Sequence, residues 1–128
     1  MAERVEILRR CGTYEQMPDA FSETWAEPER KTVKRIAKAR KALAQVDVPD
    51  TVLADAADLC LAVGADGLRG ELTLVRAARA AAALEGKRKV HHLKAVAPMA
   101  LRHRLRRNVL DETGSSTRIE RAIAELWP

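Results

Sequence analysis

Apolar residues recur at intervals of three and four along most of this chain, which is the spacing of one face of an α-helix. An early segment, residues 29–45, carries Val33, Ile36 and Leu43 on one side. Four further segments follow, near residues 50–63, 68–85, 91–107 and 117–127. The pattern predicts a bundle of four helices, with the earlier helix packed beside it or acting as a connector.

Breaking and capping residues set the predicted helix ends. Glycines that can adopt the left-handed conformation stand where three helices are expected to end: Gly12, Gly64 and Gly86. Residues that favour helix starts stand before the later segments: Pro28, Asp50, and the capping-box pair Thr117 and Glu120. Pro98 is expected to kink or divide the helix near residues 91–107.

The helix predicted at residues 68–85 carries a single apolar stripe, which is expected to face the core. Its members are Leu68, Leu72, Val75, Ala78 and Ala82. The composition supports the helical class, because 47% of the 128 residues are hydrophobic but only 3% are aromatic. A core of Ala and Leu with few strand-forming residues favours an all-α fold.

The cysteines and the lengths of the apolar runs indicate in which cellular compartment the protein is expected. Cys11 and Cys60 are too few and too far apart for a disulfide framework or a metal site, so reduced thiols are expected. No apolar run approaches the length of a membrane span, and the first ten residues lack the apolar centre of a signal peptide. A cytoplasmic protein is therefore expected.

Charge is distributed unevenly along the chain, with a net charge of +5. Residues 14–29 hold five acids and no base, and residues 30–43 hold seven bases and no acid. Residues 87–107 hold eight more bases, four of which are candidates for contacts with an acidic partner: Arg102, Arg104, Arg106 and Arg107. Nucleic acid is a less favoured partner, because this stretch offers no aromatic side chain for base stacking. On a straight helix Arg104 would lie within the apolar stripe.

Motifs of the common enzyme classes are absent from the sequence. It contains no G-x-x-x-x-G-K-[ST] phosphate loop, no H-E-x-x-H and no G-x-S-x-G. His91 and His92 are adjacent, so on a helix they point in different directions, and no cysteine or acid lies near them. A metal site at these histidines is not expected.

Arg69 stands out because it occupies the first turn of a predicted helix, where the positive end of the helix dipole disfavours a cation. One interpretation is a surface arginine whose stem packs on its neighbours. The other is an anion site, because a helix N-terminus binds phosphate and Gly67 and Gly70 allow close backbone approach. The residues alone leave both interpretations open.

Three motifs carry a resemblance to a known family: "RVEILRR", "ADGLRGELTLVRAARAAAALEG" and "LKAVAPMALRHRLRRNVLDETGSS". They closely resemble the C-terminal part of the magnesium chelatase I subunit, the AAA+ ATPase of chlorophyll and bacteriochlorophyll synthesis. The resemblance extends from about Arg4 to Pro128, and "DGLRGELTL" is among its most specific parts.

The resemblance implies a helical lid at residues 49–128, preceded by connecting helices at residues 1–48. It implies that Arg69 is the sensor-2 residue at the γ-phosphate, with Gly67, Leu68 and Gly70 near the phosphate. ATP and Mg²⁺ would be cofactors of the intact subunit, with none expected on this chain alone. The implied partners are the subunit's own ATPase core, neighbouring I subunits in a ring, the D subunit and the porphyrin-binding H subunit.

Two departures from the family stand in this sequence. The ATPase core is missing, which suggests an excised or truncated part of the subunit that is inactive alone. The residues "KVHH" also replace the acidic or hydroxyl residues that usually precede the "LKAVA" helix. Two alternatives stay open: a stand-alone basic helical interaction module, and the lid of another AAA+ ATPase of the cobalt-chelatase-like or MoxR-like kind.

Overall fold

The computed structural model describes residues 1–65, 67–90, 93–105 and 114–128. Within these ranges the chain is helical and contains no strand beyond isolated single-residue bridges, so the all-α prediction is confirmed. The helices are α1 (Ala2–Gln16), α2 (Pro18–Ala42), α3 (Asp50–Val63), α4 (Gly67–Leu84), α5 (Leu93–Leu101) and α6 (Ser115–Leu126). A short 3₁₀ turn, Leu43–Gln45, follows α2.

The chain forms two compact units, Met1–Ala37 and Lys38–Pro128. This finding does not test the division of the sequence at residue 48, which stays a prediction. The helical lid implied by the sequence motifs, residues 49–128, lies within the second unit, which contains α3 to α6.

The first unit is a pair of helices held by aromatic contacts. Tyr14 on α1 meets Phe21 on α2 edge to face, with ring centroids 5.7 Å apart, and Phe21 lies 6.0 Å from Trp25. The Arg10 guanidinium sits 4.5 Å above the Trp25 ring and also pairs with Glu6 at 2.8 Å. No residue of this unit is fully buried. The unit therefore depends on a few surface contacts between α1 and α2.

Two predicted helix boundaries in this unit are wrong. Gly12 lies inside α1, which continues to Gln16. Met17, the C-cap residue, precedes a proline, and a residue in that position disfavours helical backbone. Pro28 lies inside α2, whose first residue is Pro18 instead. The cost of glycine or proline in a helix interior is local, so a few kcal/mol of packing elsewhere can outweigh it.

The second unit is the predicted bundle. Helix α4 packs against α3 and α5, and α6 completes the set by packing against α3 and α5. The largest fully buried side chains come from all four helices: Leu59, Val63, Leu74, Leu101 and Ile119. The backbone of Asp47 is hydrogen-bonded to Arg88 and Val90, which ties the segment before α3 to the connection between α4 and α5.

Helix starts in this unit differ from the predicted caps, whereas two of the helix ends agree. Asp50 is the first residue of α3, after Pro49, and makes no side-chain cap bond. The expected capping box at Thr117 is not formed, because α6 begins at Ser115 after an extended Gly114. Gly64 and Gly86 do follow α3 and α4 with left-handed backbone.

Helix α5 is shorter than the sequence predicts. It ends at Leu101, where the N–H groups of Arg102 and Arg104 turn back to carbonyls of Pro98 and Leu101. Pro98 stays inside the helix, so it neither divides nor ends it. The helix was expected to continue to residue 107, but residues 102–105 are not helical, so this prediction is wrong for them. Residues 91–92 and 106–113 lie outside the described ranges.

The positions of two glycines give a matched pair of stability predictions. Gly12 has helical surroundings with open space beyond its Cα, so Gly12→Ala should stabilise α1 by about 0.5–1 kcal/mol. Gly67 also has open space, but its φ is +55°, so Gly67→Ala should cost about 1–2 kcal/mol. Denaturant unfolding followed by helical circular dichroism measures both. Equal effects of the two substitutions would contradict the assigned conformations.

Candidate functional site

The turn between α3 and α4 is compact. Gly64 closes α3 with φ +66°, and its N–H bonds to the carbonyl of Leu61 at 3.1 Å. The next N–H, from Ala65, returns to the carbonyl of Cys60 at 2.9 Å. Gly67 then begins α4 with φ +55°. The last turn of α3 and the first turn of α4 are thereby held close together.

Gly70 allows this close approach. A Cβ at Gly70 would lie 3.0 Å from Ala65 Cβ, 3.5 Å from Cys60 Sγ and 3.7 Å from a Leu101 methyl group. Gly70 is itself buried, so it belongs to the packing at the start of α4. The glycine predicted to lie near a phosphate faces the protein interior in this structure.

Arg69 lies in the first turn of α4 and its side chain is exposed. The Thr73 hydroxyl donates to its carbonyl at 2.7 Å, and no carboxylate among the described residues pairs with its guanidinium. The first N–H groups of a helix have no intrahelical acceptor and carry partial positive charge. A cation and free donors therefore occupy one exposed helix start, which is an arrangement that an anion stabilises.

The apolar stripe predicted for α4 is only partly correct. Ala78 and Ala82 are buried, but Leu68 and Leu72 are 75% and 51% exposed. Gly70 and Leu74 take their place on the inner face. The α4 helix thus has two apolar sides. Periodicity alone could not tell which one faces the core, since the buried side holds a single large residue, Leu74, among glycine and alanines.

The outer apolar side of α4 forms a groove with α3, of about 300 Å³. Its lining is Leu53, Ala57, Leu68, Glu71, Leu72 and Val75. A cluster of exposed large apolar side chains marks a contact surface more often than a solvent surface. We call this set the α3–α4 groove; Leu68 places it directly beside Arg69.

Glu71, near the start of α4, and Cys60, near the end of α3, lie close to the same turn. One carboxylate oxygen of Glu71 is buried and has no hydrogen-bond partner among the described residues. Burial raises the pKa of the Cys60 thiol to about 11, and the negative charge of Glu71 adds to the shift. The thiol is therefore protonated and inert at neutral pH, and nothing here indicates a nucleophile.

Part of the basic stretch, residues 102–105, lies near the same turn. Arg102 donates from Nε to His103 Nε2 at 3.0 Å, and Arg104 is exposed rather than within the apolar stripe. Leu105 is half-buried and forms a single antiparallel bridge with Ala65. Residues 102–105 consequently approach the turn before Arg69, whereas Arg106 and Arg107 lie outside the described residues.

A second groove, of about 620 Å³, was not predicted from the sequence. Its lining includes the apolar residues Val52, Val90 and Leu93, and also Lys94. Lys94 Nζ donates to the carbonyl of Trp127 at 2.7 Å and lies 5.9 Å from the centroid of its ring. The groove depends on residues far apart in sequence, so only the tertiary fold shows it.

The described residues contain neither a candidate metal site nor a helix that could span a membrane. Among them, no three His, Cys, Asp or Glu side chains gather in a group that could hold a metal ion. Likewise, none of the described helices combines the length and apolar character needed to cross a bilayer. The predicted absence of a metal site at His91 and His92 concerns residues outside these ranges.

The described helices of the second unit form a small bundle, and Arg69 lies at the exposed start of one of them. Residues 53–123 match the family model described as "AAA lid domain", and the chain belongs to this family. It is 54% identical to the magnesium-chelatase 38 kDa subunit of Cereibacter sphaeroides, over 98% of this chain and 38% of that protein. It is 53% identical to the subunit of the same name in Rhodobacter capsulatus, over 98% of this chain and 36% of that protein.

A structural comparison gives a further match. A model of the complex between subunits BchI and BchD of magnesium chelatase, based on a cryo-EM reconstruction, shares 47% identity with this chain at a TM-score of 0.47. The match covers 98% of this chain and 36% of that one. The resemblance drawn from the sequence motifs is confirmed by the identities, and the chain spans just over a third of the length of these relatives.

The two thiols should differ sharply in reactivity. Cys11 is exposed and Cys60 is buried with a raised pKa, so a thiol reagent at pH 8 should modify Cys11 readily and Cys60 only after unfolding. Since the Cys60 thiol favours its neutral form in the fold, its contribution to stability should fall as pH rises from about 9 towards 11. Labelling kinetics of Cys11→Ser and Cys60→Ala variants measure the difference. Fast labelling of Cys60 in the folded protein would contradict the buried position.

Proposed function

We propose that this chain is the lid of the ATPase subunit of a magnesium chelatase, acting in the cytoplasm in bacteriochlorophyll or chlorophyll synthesis. The assembled enzyme would insert Mg²⁺ into protoporphyrin IX at the expense of ATP. The observation that carries this proposal is the 54% identity to a curated magnesium-chelatase subunit along nearly the whole chain. The site supports it independently, because α4 offers an open, positively charged helix start.

Arg69 is the residue to which we assign the sensor-2 role. Its guanidinium would contact the γ-phosphate of ATP, which lies on another domain or subunit. The planar fork of arginine can hold two phosphate oxygens at once, and its charge would offset the negative charge that develops in phosphoryl transfer. The exposure of Arg69 and the absence of a carboxylate partner among the described residues leave it available for such a contact.

The residues around Arg69 take different roles in this proposal. Backbone N–H groups at the start of α4, from Gly67 and Leu68 onward, would add partial positive charge towards the phosphate. Gly70 would act as a packing residue that sets the position of α4. ATP would bring its own Mg²⁺, and we assign no ligand of that ion to the described residues.

The α3–α4 groove would be covered in the assembled enzyme. Leu68 and Leu72 adjoin Arg69, so a surface that brings a phosphate to Arg69 would also cover these leucines. We propose the ATPase core of the same subunit or a neighbouring I subunit in a ring as that surface. Arg102 and Arg104 lie at the same end of the bundle, where they could meet the D or H subunit.

Substitution of Arg69 tests the sensor role in the complete subunit. Arg69→Lys keeps the charge but loses the planar fork, so ATP turnover and Mg²⁺ insertion should fall roughly tenfold or more. The stability of the lid should change by less than about 0.5 kcal/mol, since the side chain is exposed. Melting, ring assembly and ATP turnover should be measured on the same preparation.

Arg76 provides the matched control for this experiment. It is exposed and lies two turns further along α4, so Arg76→Lys changes the same chemistry away from the helix start. Turnover of the control should equal that of the wild type. Unchanged turnover in Arg69→Lys, or a loss of stability without a loss of turnover, would assign Arg69 a structural role.

The chain alone should not hydrolyse ATP. A phosphate loop supplies most of the donors that hold a nucleotide triphosphate, and no such motif occurs in this sequence. Calorimetry with this chain and ATP should show no binding in the micromolar range, and phosphate release should equal the buffer blank. Micromolar binding would mean that the lid holds nucleotide without the core.

A further inference from the structure

The α2 helix joins an acidic segment and a basic segment without a break. Side chains on one exposed stripe change sign at the middle of the helix: Asp19, Glu23, Glu27, then Arg30, Lys31 and Lys34. We call this set the outer stripe. Phe21 and Trp25, which contact α1, are about half a turn away from Glu23 and Glu27, so the outer stripe faces away from α1.

This separation of acidic and basic residues does not stabilise the isolated helix. Like charges four residues apart repel, and the stripe places Asp19, Glu23 and Glu27 at that spacing. Arg30 and Lys34 repeat the arrangement with positive charge. The helix dipole favours acids and bases only within the first and last turns. The central positions therefore gain nothing from it.

One ion pair within the helix lies at the point where the sign changes. Arg30 meets Glu27 at 3.3 Å, and both side chains are more than half exposed. Asp19 and Glu23 have no ion-pair partner among the described residues. The acidic half thus presents uncompensated charge to solvent, next to a basic half of opposite sign.

We propose that the outer stripe binds the outer stripe of a second copy of this chain, with the two α2 helices antiparallel. The observation that selects this partner is charge complementarity, because reversing the helix places its basic half against the acidic half of its mate. A two-fold axis near Pro28 brings Glu23 opposite Lys34 of the second copy and Glu27 opposite Arg30 of the second copy. The symmetry makes each pair occur twice.

The association is weak and depends on salt. Exposed ion pairs contribute little each and are screened over about 10 Å at 0.1 M salt. Val33, which is 64% exposed, flanks the stripe and adds a small apolar margin. Sedimentation equilibrium of this chain at about 20 mM salt should show a monomer–dimer equilibrium. The dissociation constant should rise by at least about fivefold at 0.5 M salt.

Charge reversal separates this pairing from other causes of association. One variant carries Glu23→Lys and Glu27→Lys, and the other carries Arg30→Glu and Lys34→Glu. Each variant alone has a stripe of nearly a single sign and should stay monomeric. An equimolar mixture pairs opposite stripes and should restore the dimer. Circular dichroism verifies that both variants keep their helices.

The control changes the net charge without touching α2. Arg76→Glu with Arg121→Glu lowers the net charge by the same amount as Arg30→Glu with Lys34→Glu, at exposed positions on α4 and α6. This control should dimerise like the wild type. A wild-type chain that is monomeric at low salt, a dimer that survives either reversal, or a mixture that stays monomeric would each overturn the proposal.

Discussion

The close approach of α4 to α3 is the constraint on which the bundle and its candidate site depend. A Cβ added at Gly70 would lie 3.0 Å from the Cβ of Ala65, so even an alanine there would require Ala65 to shift by a few tenths of an ångström. The left-handed Gly64 reverses the chain soon enough for that contact to form. With α4 held there, Leu74 and Ala78 reach the shared core, and α5 and α6 pack on the surface that remains. The same contact fixes the direction in which the first turn of α4 points.

Sequence periodicity predicted the helices well because four of them bury apolar faces in one core. It failed at the boundaries, where the outcome depends on small differences. Gly12 and Pro28 are local breakers, yet both lie within helices, because favourable interactions in the rest of each helix outweigh their local cost of roughly 1–3 kcal/mol. The α5 helix ends at Leu101, and four residues later Leu105 forms a bridge to Ala65, a tertiary contact that no local pattern contains.

The candidate site shows the same division between local and tertiary information. A charge placed against the helix dipole is a local feature, so the amino-acid sequence alone was enough to single out Arg69 as a candidate, and its role stays a prediction. The exposed position of Leu68 and Leu72 could not be predicted in this way, because α4 carries apolar residues on two sides and the inner side uses Leu74 with Gly70 and alanines. A large side chain is normally taken as the core residue. Here the close contact between α3 and α4 requires a small residue at Gly70, on the inner side of the first turn.

On the proposed function, the arginine and the leucines contribute different properties to docking. Fully burying a fully exposed leucine contributes about 1.5–3 kcal/mol, and Leu68 and Leu72, which are 75% and 51% exposed, would each contribute a corresponding part of this on docking. An anion at a helix start contributes only about 0.3–1 kcal/mol in exposed surroundings. That smaller contribution depends on the phosphate, because Arg69 and the positive end of α4 repel each other until an anion lies between them. The α3–α4 groove would hold the lid against the opposing surface, and Arg69 would make this docking depend on the presence of the phosphate.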